Sequence, residues 1–150
     1  AIADGSTDDA AHYINSAYEI SGGFERDSHY ILEQLRYRAF AIAMTGTKTT
    51  TSSGQFEVGV GYIHQFFDLL PQGAKNEIGW ARAATLGWLH AAYAFRQRDL
   101  GNRSAIRREC LLAWRHDLRN VRNRGLWSIF VKSIASFPNW YTIPVWEQSP

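Results

Sequence analysis

The stretch NEIGWARAATLGWLHAAYAFRQRDLG, residues 76–101, decides the fold. It reads as one long helix from about Asn76 to Leu100. Gly101 then takes the position after a helix end, where a left-handed backbone is wanted. Ala81, Ala84, Ala91, Ala92 and Ala94 are small enough for a second helix to approach closely. Trp80, Leu86, Leu89 and Tyr93 are the expected packing side chains.

Toward the C-terminus, Ile106, Cys110 and Ala113 recur at helical spacing, and Leu111 and Trp114 join them in a helix over about Arg103–His116. A further helix spans about Val121–Ser136, with Leu126, Trp127, Phe130, Val131 and Ile134 as its apolar set, and Pro138 closes it. Residues 139–150 are too apolar for a free tail, so they are expected to pack back across a helical groove in extended form.

Toward the N-terminus, Val58, Tyr62, Ile63, Phe66, Phe67 and Leu70 form a wide stripe over about Phe56–Leu70. Gly59 and Gly61 weaken its first turns by ~1 kcal/mol each relative to alanine. Thr45–Gly54, all small, hydroxyl or glycine residues but for Lys48, is the clearest loop. Tyr30, Ile31, Leu35, Ala39 and Ile42 mark a helix from Asp27 or Ser28 to Met44. Phe40–Met44 alone also suits a short strand. The first helix covers about Asp8–Ile20, capped by Ser6 or Thr7 and stopped by Ser21-Gly22-Gly23. The fold class is therefore mainly α: a bundle of about six helices, with room for one or two short strands. It forms a single domain over 1–150, with acidic helices and a loop in 1–75, a basic hairpin region in 76–137 and the tail in 138–150.

A chain of 150 residues, 45% hydrophobic and 14% aromatic, can bury a core, which excludes the disordered class. Cys110 is the single cysteine, so no internal disulfide framework is possible and a reducing compartment fits. The acidic start (Asp4, Asp8, Asp9) is unlike a secretory leader. The stretch Ala83–Phe95 is too short to cross ~30 Å of hydrocarbon. A cytoplasmic protein, peripheral at the membrane, is the expectation. His12, His29, His64, His90 and His116 lack metal-ligand spacing, so no metal and no cofactor is expected. Cys110 lies on an apolar face and reads as packing.

Charge is divided unevenly. Residues 1–95 hold six basic and ten acidic residues, whereas residues 96–132 hold ten basic and three acidic ones. Such a block attracts phosphates or an acidic partner. Arg107, Arg108, Arg115, Arg119, Arg122 and Arg124 are the candidate anion- or partner-binding residues. Positions 108, 115, 119 and 122 share a stripe if the two helices stack.

Four segments resemble family 2 glycosyltransferases, in the family's order. Asp4-Gly-Ser-Thr-Asp-Asp9 is similar to the acidic turn that holds base and ribose of a sugar nucleotide, although Ala3 replaces its first aspartate. The resemblance implies nucleotide binding by Asp4, Ser6 and Asp8. Gly22-Gly23-Phe24-Glu25 with Asp27 resembles the segment that carries the general base, a role this implies for Asp27, with Glu25 as second choice. The loop from Thr45 to Gly54 and the helix to Phe67 resemble the segment after the catalytic domain, where Lys48 would face a diphosphate. Trp80–Ile134 resembles the helical C-terminal region, and its hairpin, with Gly101 twelve residues before Ala113, looks like one tetratricopeptide repeat. The family's parallel sheet and its Asp-x-Asp motif have no counterpart here. The resemblance thus implies a truncated or degenerate glycosyltransferase whose helical region docks to a protein partner or an anionic membrane surface. Two alternatives stand beside it: an enzyme that uses a sugar nucleotide and is completed by another chain, and a helical nucleic-acid-binding module. Nucleic acid is the less expected partner, because Trp114 and Trp127 sit at core spacing.

Overall fold

The computed structural model describes residues 6–44 and 52–135, with backbone alone for Ser52 and Ser53. The described residues form seven α-helices and one short 3₁₀ helix, and contain no strand: α1 (Thr7–Ser21), α2 (Ser28–Met44), α3 (Ser52–Leu69), α4 (Gln72–Ile78), α5 (Ala81–Asp99), α6 (Arg103–His116), the 3₁₀ helix (Leu118–Arg122) and α7 (Arg124–Ile134). The mainly α bundle expected from the sequence is the fold. Phe40–Met44 is the last part of α2, not a strand, because Ala39 and Ala43 on that turn are buried against α3.

Helix α5 organises the rest. One side of it, with Ala81, Leu86, Leu89 and Tyr93, packs into a core that also contains Leu35 of α2, Phe56, Ile63 and Phe67 of α3, and Ile78 of α4. Ala91 and Ala94 face a second core, built with Ile106, Cys110 and Ala113 of α6 and Leu126 and Ile129 of α7. A helix covered on two sides needs small residues and shows little one-sided periodicity, which explains its alanine content. Gly87 permits a close approach on that second side. A Cβ there would stand 2.8 Å from Asp117 Cβ and 3.1 Å from the Ala113 carbonyl oxygen.

Several boundaries differ from the sequence reading. The long helix from Asn76 is two helices, α4 and α5, separated at Gly79-Trp80. There the Arg82 N–H donates to the Gly79 carbonyl, three residues back, which tightens the chain into a turn. Trp80 is not a core residue. It is 64% exposed, and its indole N–H donates to the Glu77 carbonyl at 2.9 Å. Helix α3 begins at Ser52, so the expected loop is shorter by the first turn of a helix; its residues 45–51, with Lys48, lie outside the described residues. Gly59 does not leave that helix irregular, since it lets α3 close onto Ala39 and Ala43. The expected helix from Val121 is instead the 3₁₀ helix plus α7, each opened by a side-chain cap: Asp117 accepts from Arg119 N–H, and Asn123 from Leu126 N–H. The tail expected to pack back, residues 139–150, lies outside the described residues.

Candidate anion-binding surface

The Gly22-Gly23-Phe24 turn has a structural role. Gly22 and Gly23 adopt φ of 69° and 118°. Their N–H groups donate to the Glu19 and Tyr18 carbonyls, the paired bonds that close a helix C-terminus. Phe24 is buried and meets Tyr18 edge to face. Glu77 of α4 locks the turn by accepting from Phe24 N–H at 2.5 Å and from the Tyr18 hydroxyl at 2.8 Å. The Tyr18 hydrogen bond, then the Phe24 N–H, hold the Glu77 carboxyl below its ordinary range.

The residues singled out for nucleotide chemistry are not brought together. Asp4 lies outside the described residues. Ser6 stands at the start of α1, where its hydroxyl donates to Asp9 Oδ2 at 2.6 Å and does not cap the helix, and Asp8 is exposed beside it. Asp27 is exposed in the turn before α2, with its carbonyl accepting from Ile31 N–H. Helix α1, 15 residues long, puts ~22 Å between the Ser6 end and the turn that leads to Asp27.

The six candidate arginines are all exposed, but they do not form one stripe. Helix α6 ends at His116, and Asp117 is extended at φ −144° and ψ 105°. The helical register from Arg108 and Arg115 therefore stops before Arg119 and Arg122. Arg108 is taken up by the fully buried Glu109, whose Oε1 accepts from its Nε and Nη2, both at 2.8 Å. Arg119 is taken up by Asp117, at 3.0 Å. Among the described residues Arg107, Arg115, Arg122 and Arg124 have no ion pair.

The structure adds cations that the sequence reading passed over. Arg98, Arg103 and Lys132 surround a pocket of about 170 Å³ where the α5–α6 turn meets the last turns of α7. Its floor is Ile106, Ile129 and Ser133. Asp99 accepts from Arg98 at 2.7 Å, whereas Arg103 and Lys132 have no ion pair among the described residues. Gly101, at φ 70°, reverses the chain and so brings Arg98 and Arg103 to one rim. Their flanking of a helix-stopping glycine was a usable signal; the placement of Lys132 depends on how α7 packs.

Helix α7 contributes a second element. Leu126, Ile129 and Ser133 point inward. Arg124, Trp127, Val131 and Ile134, spaced three, four and three apart, share one outward stripe. Trp127 is 41% exposed, Val131 52% and Ile134 54%. Thus three residues expected in the core lie largely outside it, as does Leu111 of α6. Trp127 rests partly on Trp114, with ring centroids 4.4 Å apart, and donates to the Val121 carbonyl at 2.8 Å.

Cys110 is buried between α6 and α7, and burial pushes its thiol up to about 11, so it packs as an inert apolar group at neutral pH. His90 and His116, far apart in sequence, stack in parallel with centroids 5.3 Å apart, and His90 Nδ1 lies 2.6 Å from Glu109 Oε2. Burial, then the charges of His90, His64 and Arg115, lower the pKa of His116. No group of three or more side chains among the described residues is placed to hold a metal ion. No helix among them is long and apolar enough to cross a membrane.

Comparison of the chain with protein families, with curated proteins and with solved structures finds no match.

Proposed function

We propose that this chain is a helical docking module that sits on an anionic membrane surface through the end of the bundle built by the α5–α6 turn and α7. One observation carries the reading: α7 presents Arg124, Trp127, Val131 and Ile134 on one exposed stripe, beside a pocket ringed by Arg98, Arg103 and Lys132. A helix with apolar side chains outward and cations along its flank lies in the headgroup region, where the apolar groups leave water and the cations meet lipid phosphates. Arg107 and Arg115 extend the positive surface along α6, with exposed Leu111 between them at i+4 spacing. Neither arginine has an ion pair among the described residues. Residues 1–95 carry a net negative charge, which disfavours their approach to an anionic surface.

Co-sedimentation with vesicles tests this. The protein is expected to pellet with phosphatidylcholine vesicles that contain phosphatidylserine, and far less with phosphatidylcholine alone. Binding should fall as salt rises from about 50 to about 300 mM. Each of Arg103→Gln, Arg124→Gln and Lys132→Gln should weaken it by ~1 kcal/mol, roughly fivefold. The pair Val131→Ser and Ile134→Ser should weaken it further at every salt concentration. Equal binding to neutral and acidic vesicles, or salt-independent binding, would refute the proposal.

A further inference from the structure

We infer that the groove between α2 and α5, lined by Glu33, Arg36, Tyr37, Phe40 and Trp88, binds a small planar ring that carries an anionic oxygen group. It is independent of the docking surface, since four of its five residues come from α2. Positions 33, 36, 37 and 40 fall on one face of that helix. They enclose about 410 Å³ against Trp88 of α5, within the size range of small-molecule sites.

The chemistry of the lining selects the ligand. Phe40 and Trp88 form an open corner, with centroids 5.9 Å apart and planes at 59°, and both remain exposed along with Tyr37. A flat ring can lie against one face and meet the other edge-on. Arg36 is half-buried at the same place. Its Nε is shielded from solvent, yet among the described residues neither it nor the rest of the guanidinium makes a hydrogen bond. The nearby carboxylate that could have satisfied it, Asp117, is engaged with Arg119 at 3.0 and 3.2 Å. Glu33, one turn earlier on α2, forms no ion pair with it. A half-buried guanidinium whose shielded Nε has no acceptor is completed best by a carboxylate or a phosphate, which accepts in the plane of its fork. Glu33 at the same groove accepts from a hydroxyl or ring N–H of the ligand.

The probes are salicylate and adenosine monophosphate, each set against a neutral counterpart, benzyl alcohol and adenosine. The readout is the indole N–H signal of Trp88 in ¹⁵N-labelled full-length protein, assigned by its loss in Trp88→Phe. Movement of that signal with an anionic probe at about tenfold lower concentration than with its neutral counterpart is the expected result. The stronger of the two anions tells whether the group recognised is a carboxylate or a phosphate. Arg36→Gln should abolish the preference for the anion while leaving signals remote from the groove in place, which shows that the fold is kept. No movement of the Trp88 signal with either anion would overturn the inference. So would equal response to the neutral probes, or a preference that survives Arg36→Gln. A signal that moves with protein concentration alone would assign the groove to a second copy of the chain and would equally overturn it.

Discussion

Glu109 is the most demanding residue in the bundle. Its side chain is 0% exposed, it lies between the two cores, and its two oxygens serve different helices. Oε2 is 2.6 Å from His90 Nδ1 on α5, and Oε1 accepts twice from Arg108 on α6 itself. Replacing Glu109 with alanine removes the acceptor at His90 Nδ1 and leaves that ring, its side chain 8% exposed, packed edge-on against Phe56 with no other hydrogen-bond partner for that atom among the described residues. Breaking a buried pair from one side costs about 3–5 kcal/mol, because the partner stays desolvated. In a chain of this length 1 kcal/mol displaces the midpoint by ~2–4 °C, so Glu109→Ala should melt ~6–20 °C lower. Glu109→Gln keeps the volume and one acceptor, and should cost less, ~1–3 kcal/mol.

The assay is urea unfolding followed by far-ultraviolet circular dichroism, on Glu109→Ala, His90→Phe and the double variant. If the two groups hold α5 to α6 as a pair, the single losses should not add, and the coupling should exceed ~1 kcal/mol. A loss below ~1 kcal/mol for Glu109→Ala, or a coupling below ~0.5 kcal/mol, would refute the account of this polar seam.

Gly59 and Gly61 of α3 should respond with opposite sign. A Cβ at Gly59 would stand 2.8 Å from the Ala39 carbonyl oxygen and 2.9 Å from Ala43 Cβ, so Gly59→Ala forces α2 and α3 apart and should cost ~1–3 kcal/mol. Nothing lies within 4 Å of such an atom at Gly61, so Gly61→Ala should gain ~0.5–1 kcal/mol in thermal unfolding. His116 should make stability depend on pH. Its pKa in the folded chain is below its ordinary 6.5, so on acidification the unfolded chain takes up this proton first. The contribution is therefore present above pH 6.5 and lost as pH falls through the folded value. His116→Gln should flatten the wild-type slope over that window, and an unchanged slope would assign it to other groups.

What was legible in the sequence is what local chemistry decides. The end of α5 follows from Gly101, the start of α6 from the Asn102 cap, and the stop of α1 from Gly22-Gly23, whose left-handed φ values no neighbour has to impose. The break at Gly79-Trp80 was hidden because no proline marks it and Ile78, Trp80 and Ala81 lead straight into the apolar pattern of α5. The inward face of α7 was misread for a different reason. Apolar residues occupy more than half its circumference, so periodicity alone fits either side to the core. Packing on α6 chose Leu126, Ile129 and Phe130 and left Trp127, Val131 and Ile134 outside. His90, Glu109 and His116 carried no signal, since their meeting depends on the α5–α6 crossing.

The arginine block shows why a charge count from sequence overstates a surface. Of its three carboxylates, Glu109 engages Arg108, Asp117 engages Arg119 and Asp99 engages Arg98, each within two residues in the chain. Among the described residues, what remains unpaired is not a stripe along stacked helices but a set spread over α5, α6, the 3₁₀ helix and α7: Arg96, Arg103, Arg107, Arg115, Arg122, Arg124 and Lys132. At α7 these cations coincide with three apolar side chains on one stripe that the fold leaves in water. Charge alone would suit any polyanion equally. The apolar stripe separates the possibilities, because exposed Val131 and Ile134 gain nothing beside a phosphodiester backbone and gain burial in a headgroup layer. A chain that bound duplex DNA as tightly as acidic vesicles, with Val131→Ser and Ile134→Ser neutral in both, would show that the stripe takes no part.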